Sequence, residues 1–135
     1  MTGKVRLTGF RAARAALSTP FADTDWGRML LTNGEPDDTI AKFQSAHAEG
    51  PHFADPLEMW GEALMQENRS YLALAKFEEA NKYAPNRGRL HLEWGRALYY
   101  TGEREEAKKQ FGAAAHLILF PSDAAMLARI RTSHV

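Results

Sequence analysis

The feature that most constrains this chain is a regular 34-residue period. Trp26-Gly27, Trp60-Gly61 and Trp94-Gly95 are separated by that step, as are Leu30, Leu64 and Leu98. Phe43, Phe77 and Phe111 keep it, and so do Ala46, Ala80 and Ala114, then Gly34, Asn68 and Gly102. A repeat of this length is one supersecondary unit that cannot bury its apolar face alone, so neighbouring units must stack into a solenoid. Within the unit the spacing is helical. Trp60 and Leu64 lie one turn apart on one face, and Ala73, Phe77 and Ala80 line one face of a second helix. A glycine such as Gly61 inside a helix costs about 1 kcal/mol relative to alanine. Its return as Gly27 and Gly95 therefore implies a packing reason, and the small Ala73 and Ala107 point to a close approach of the two helices there.

Turn chemistry divides the rest of the chain. Asp23 reads as the cap of a first helix running to about Leu31, and Asn33-Gly34 as the turn after it. Helices are expected from Pro36 to about Ala48, and from an Asp55 cap with Pro56 in the first position to about Glu67. Asn68 stands where Gly34 and Gly102 stand, and asparagine tolerates the left-handed conformation such a turn requires. Ser70 reads as the cap of a helix over Tyr71–Tyr83. Further helices follow over about Arg87–Tyr100, about Glu103–Leu119, and from a Ser122 cap through Arg129. Before all of these, a basic amphipathic helix is expected over about Thr8–Leu17, read first as a cap over the open end of the first repeat, with a membrane- or nucleic-acid-binding segment or an Arg-rich targeting peptide as the alternatives.

The pattern resembles the tetratricopeptide repeat (TPR). That motif has Trp or Leu, Gly, then Tyr or Leu on its first helix, Ala, Phe and Ala on its second, and Pro at its end. Trp60, Gly61, Leu64, Ala73, Phe77, Ala80 and Pro85 fall at those positions. The resemblance covers residues 20–121 as three units, 20–53, 54–87 and 88–121, flanked by a basic segment 1–19 and a capping helix and tail 122–135. It implies an all-α fold, an α-solenoid of three helix-turn-helix repeats in a right-handed superhelix, with an N-terminal helix and a C-terminal capping helix. The sequence departs from the pattern at Thr39, which stands where Ala73 and Ala107 stand, at His91 in place of an apolar residue, and at Leu119 in place of the closing proline.

In that family the first helix of each hairpin lines a concave face that holds a partner's peptide or helix. The resemblance places Arg28 there from the first repeat. Asp55, Glu58, Met59, Glu62 and Met65 come from the second, and Arg89, Leu92, Arg96, Tyr99 and Tyr100 from the third. The methionines and tyrosines suit an adaptable groove. Asp55, Glu58 and Glu62 form an acidic cluster that suits a basic ligand residue. One subgroup clamps a C-terminal carboxylate with paired Lys and Asn side chains. Here Thr24, Arg28, Met59, Arg89 and Glu93 hold those positions, and only Arg89 offers a serviceable cation, so that clamp is not expected.

Net charge is zero but unevenly spread: +4 over residues 1–19, −8 over 20–67 and +4 over 68–135. Solvated faces that happen to differ account for this most simply, with an acidic surface receiving a basic partner, or the chain's own N-terminus, as the sharper reading. There is no cysteine, which removes thiolate metal sites and cysteine nucleophiles and fits a reducing compartment, read here as the cytoplasm. The five histidines form no H-E-x-x-H, and no phosphate-binding or nucleophile-elbow motif occurs. No cofactor, metal or small-molecule substrate is expected. The function read from these features is a non-catalytic interaction module for a protein or peptide partner. The alternatives are self-association as a homodimer through the solenoid ends, or membrane or nucleic-acid association through the basic first helix.

Overall fold

A computed structural model describes residues 36–133. The basic segment 1–19 and the first helix of the first repeat, Arg28 included, lie outside the described residues. Among the described residues there are six helices and no strands: α1 (Pro36–Glu49), α2 (Ala54–Gln66), α3 (Ser70–Tyr83), α4 (Gly88–Tyr100), α5 (Arg104–Ala115) and α6 (Pro121–Ser133). Each packs on its neighbours in the chain, and α2 also touches α4, as α4 touches α6. The architecture is the expected all-α solenoid, with α2 and α3 as one hairpin and α4 and α5 as the next.

The hairpins are closed by the same turn twice. Asn68 donates its N–H to the Met65 carbonyl and Arg69 to the Leu64 carbonyl, at 3.0 and 2.8 Å. One repeat later Gly102 donates to Tyr99 and Glu103 to Leu98, at 3.1 and 2.8 Å. Both are Schellman motifs, which satisfy the last carbonyls of a helix through one left-handed residue. Asn68 has φ 60° and Gly102 φ 88°, the shared role that the sequence assigns them.

The recurring glycine has a more specific reason than a close approach to Ala73 or Ala107. A Cβ on Gly61 would overlap the Phe77 ring, and one on Gly95 would lie 2.6 Å from the Phe111 ring. Each glycine is the seat of the phenylalanine in the opposite helix of its hairpin. Phe77 and Phe111 are buried to 0% and 1% exposure on those seats. Around them Leu57, Leu64, Ala73, Ala80, Leu90 and Ala97 form one apolar cluster, and Leu92, Leu98, Ala107, Ala114 and Leu127 form the next. His91 keeps its irregular place through polar bonds. Its Nε2 lies 2.7 Å from the Pro85 carbonyl, and its Nδ1 meets the Gln110 side-chain amide at 2.7 Å, linking the end of one hairpin to the second helix of the next.

Several boundaries differ from the sequence reading. Asp55 and Ser70 do not cap; the cap positions are Phe53 and Arg69, neither with a side-chain cap bond. Asp55 is drawn off instead to Arg87, just before the next hairpin. Helix α5 stops at Ala115 rather than near Leu119, and residues 118–120 form a non-helical link that runs into Pro121, which disfavours helical backbone at Phe120 and takes the first position of a new helix. That last helix starts at Pro121 rather than after a Ser122 cap, and it continues past Arg129 to Ser133.

Gly61→Ala gains about 1 kcal/mol of helix propensity and displaces the Phe77 ring, so a net loss of about 1–3 kcal/mol is expected. Gly102→Ala meets no atom near its added methyl and loses only the left-handed allowance, a cost of about 1–2 kcal/mol. Urea unfolding of both variants, with the cavity-forming Phe77→Ala at about 3–5 kcal/mol as the reference, tests the ranking.

Candidate partner-binding face

The first helices of successive hairpins lie side by side, so α2, α4 and then α6 present one continuous face. Their charged side chains meet across it. Arg87, just before α4, hydrogen-bonds Asp55 and donates to Glu58 Oε2 at 3.0 Å, both on α2. Arg89 donates through Nη2 and Nε to the two carboxylate oxygens of Glu62, at 2.7 and 3.2 Å. Its Nη1 reaches Asp123 on α6 at 2.8 Å. One guanidinium thus joins three helices. Within α4, Arg96 holds Glu93 at 3.1 Å.

The acidic cluster expected to await a basic ligand is therefore already occupied by the chain's own arginines. The excess acid of the first half and the excess base of the second half meet here. Asp55, Arg89 and Asp123 occupy one position in three successive repeats, and the sign alternates along them.

Burial makes some of these carboxylates reluctant to ionise. Glu58 is 1% exposed and its Oε1 has no hydrogen-bond partner. Burial, opposed in part by Arg87 and reinforced by Glu62 and Asp55, pushes its carboxyl up to about 7 from 4.5. Glu93 is also raised, by burial first and then by Glu62. Arg89 is held more firmly charged than a free guanidinium, chiefly by its hydrogen bonds to Glu62.

Beyond this ion-paired floor an open cavity of about 670 Å³ lies between the hairpin turns and α6. Glu62, Met65, Arg89, Arg96 and Tyr100 line it, so five of the eleven expected residues converge. Tyr71, at 66% exposure, faces the cavity with Tyr100, at 62%, and Met126 contributes from α6. The size falls in the range of about 300–1,000 Å³ common for binding sites.

The other expected residues lie elsewhere. Asp55 and Glu58 hold the frame through Arg87. Met59 and Leu92 are buried, a correction to their reading as groove side chains. Met59 lies in one apolar cluster with Phe43 of α1, and Leu92 in another with Leu127 of α6, so neighbouring helices cover both. Tyr99 packs half-buried on the Phe111 cluster, with the Arg104 guanidinium 5.2 Å from its ring centroid. Sequence reasoning does not single out Tyr71, Arg87, Met126 or Asp123. The period itself carries a signal for Asp123, which stands one repeat after Arg89. Among the described residues no group of three or more His, Asp or Glu is placed to hold a metal ion, and no helix is long and apolar enough to cross a membrane.

No family model and no curated protein matches the sequence. Solved structures do match in fold. TTC0263, a thermophilic TPR protein of Thermus thermophilus, aligns with a TM-score of 0.81 at 22% identity, over 94% of this chain and 72% of its own. The second TPR of Spaghetti (RPAP3), bound to the HSP90 peptide SRMEEVD, aligns with a TM-score of 0.73 at 17% identity, over 79% and 99%. The Yersinia enterocolitica type III secretion chaperone SycD, in complex with a peptide of the translocator YopD, aligns with a TM-score of 0.73 at 16% identity, over 82% and 85%.

Two measurements check the charged face. Arg89→Met leaves Glu62 and Asp123 buried without their cation, and a loss of about 2–3 kcal/mol is expected in chemical unfolding. The folded chain retains a proton on Glu58 that the unfolded chain releases above about pH 4.5. The stability this group confers is therefore present below pH 4.5 and is lost as pH rises to about 7. A fall of about 2–3 kcal/mol from this carboxyl is expected across that interval, and Glu58→Gln should flatten it.

Proposed function

We propose that this chain, which folds as a tetratricopeptide-repeat solenoid, is a non-catalytic protein-interaction module that holds a peptide or helix of a partner on the face formed by α2, α4 and α6. The observation that carries the reading is the open cavity flanked by two largely exposed tyrosines. An aromatic ring left this open, with methionines beside it and a polar floor below, supplies contact area at small entropic cost. Met65, Tyr71, Tyr100 and Met126 would grip the partner's side chains, and Arg96 and Glu93 would offer hydrogen bonds to its backbone.

Two of the fold's neighbours are solved with bound peptides, which supports the same use of the fold here. Asp55, Glu58, Glu62, Arg87 and Arg89 have a different part in this reading. They are spent on one another, and they keep α2, α4 and α6 in register beneath the ligand. Arg28, one repeat earlier, would extend the groove. The repeats divide the chain as 20–53, 54–87 and 88–121, between the basic segment and the cap. The cysteine-free composition favours the reducing cytoplasm as its compartment.

A pull-down that compares the native chain with a Tyr71→Ala/Tyr100→Ala variant tests this. Both residues are exposed, so the variant should fold, with an unchanged circular dichroism spectrum. A partner bound by the native chain and lost with the variant is the expected result. A partner retained by the folded variant would sink the groove as the binding site.

A further inference from the structure

We propose that α6 and the link before it form a second docking surface, separate from the concave groove, for an acidic amphipathic helix of a partner protein. The argument begins with the period. Helix α6 lies one repeat after α4, and Asp123 and Leu127 are anchored much as the first helix of a fourth repeat would be. Two large residues of that helix are absent, however. Ala124 and Ala128 stand one repeat after Leu90 and Trp94, which both pack into the cluster around Phe77. Where α4 has a leucine and a tryptophan, α6 has two methyl groups.

The consequence is a hole. A cavity of about 440 Å³ lies between α6 and the link, lined by Leu117, Leu119, Ala124, Leu127, Ala128 and Arg131. Beside it the link presents its own apolar side chains, which alternate in burial. Leu117 and Leu119 are half-buried, and Ile118 and Phe120 are left 96% and 73% exposed. The link passes close over the start of α4: the Ile118 carbonyl lies 2.5 Å from where a Cβ on Gly88 would sit, so a glycine is needed there to let the backbone by.

Charge selects the occupant. Arg131 lines the cavity, while Arg129, two residues earlier, is exposed on a different side of the helix. No ion pair engages either of them among the described residues, whereas Arg87, Arg89 and Arg96 are all paired on the concave face. The one acid of α6, Asp123, is buried and bound to Arg89. The surface is thus an apolar hole and ridge with an unpaired cation, Arg131, at its edge. A second copy related by a two-fold axis would set arginine against arginine. An amphipathic helix with leucine-like side chains for the hole and carboxylates for that edge fits both features. Two exposed side chains and a cavity fall short of the roughly 800 Å² per partner of a standard interface, so the contact should be weak and exchange quickly.

The test uses the full chain and two designed helical peptides with leucine at i, i+3, i+4 and i+7, one with glutamates on the flanks and its twin with lysines. The glutamate peptide should bind at micromolar affinity and at least tenfold more tightly than the lysine twin. Its chemical-shift changes should fall on residues 117–131. Ala124→Leu/Ala128→Trp fills the hole with the side chains of the preceding repeat and should abolish binding. Arg131→Glu should reverse the preference, and Tyr71→Ala/Tyr100→Ala should leave it unchanged, which separates this surface from the groove. Absence of binding, equal affinity for both peptides, or binding unaffected by the filled hole would overturn the proposal. So would adsorption to phosphatidylserine vesicles that the filled hole abolishes, or sedimentation as a dimer through the same residues.

Discussion

The structure depends first on a phenylalanine ring seated on a glycine. Phe77 on Gly61 and Phe111 on Gly95 are the same contact, and they explain why glycine and phenylalanine recur in the sequence at one step. The ring sets the distance between the two helices of a hairpin. Because both faces of a hairpin stack on neighbours, that distance fixes where α2 lies relative to α4. Everything on the concave face inherits its geometry from this spacing. The Schellman turns at Asn68 and Gly102 serve the same end, since they return the second helix at the angle that brings the ring over the glycine.

The second organising element is electrostatic, and it runs perpendicular to the first. Ring and glycine act within a hairpin, while Arg87 and Arg89 act between hairpins. A solenoid is stabilised by its units and by the interfaces between them. Here the interface from α2 to α4 to α6 carries salt bridges as well as apolar packing. Buried ion pairs contribute little net stability, because desolvation offsets most of the attraction. They are exacting about geometry, however, and a slip of one helix past another would strand Glu62 or Asp123 without a partner. Such pairs suit a role in register more than in adhesion. They also engage the charged groups of the face with one another, so in the binding proposed here selectivity would fall to Tyr71, Tyr100, Met65 and Met126 rather than to charge.

The fold was legible in the sequence because its signal is repeated. Each repeat confirmed the others, and local ambiguities at one position were resolved by the same position one repeat away. Apart from the caps read at Asp55 and Ser70, the elements that went astray are those where the repeat breaks. Helix α5 ends early, at Ala115, and the chain reaches Pro121 through a link that no other repeat contains. The site was less legible, for a different reason. Exposure of a residue on a first helix depends on what stacks beside it, and Met59 and Leu92 are covered by side chains of other helices, Phe43 of α1 and Leu127 of α6. The acidic cluster misled for a similar reason. Three acids on one helix look unmet until Arg87 and Arg89 are placed across from them. Tyr71 offered no pattern at all, because it belongs to a second helix and reaches the cavity only through the tightness of the turn.

The end of the solenoid shows which parts of the repeat can be separated. Helix α6 keeps the charged residue of the period, Asp123, and so it is drawn onto the groove side by Arg89. It keeps Leu127 for the core beneath. It drops the leucine and tryptophan that would face the preceding hairpin, and it has arginine at 129 where Gly61 and Gly95 seat a ring. With arginine there, α6 offers no seat of the kind that Gly61 and Gly95 give to Phe77 and Phe111. Charge thus extends the concave face by one helix while the core stops short of it. The cavity under Ala124 and Ala128 is the physical remainder of that difference: the helix is placed by its ion pair at the distance of a full repeat, but lacks the side chains that fill the distance elsewhere.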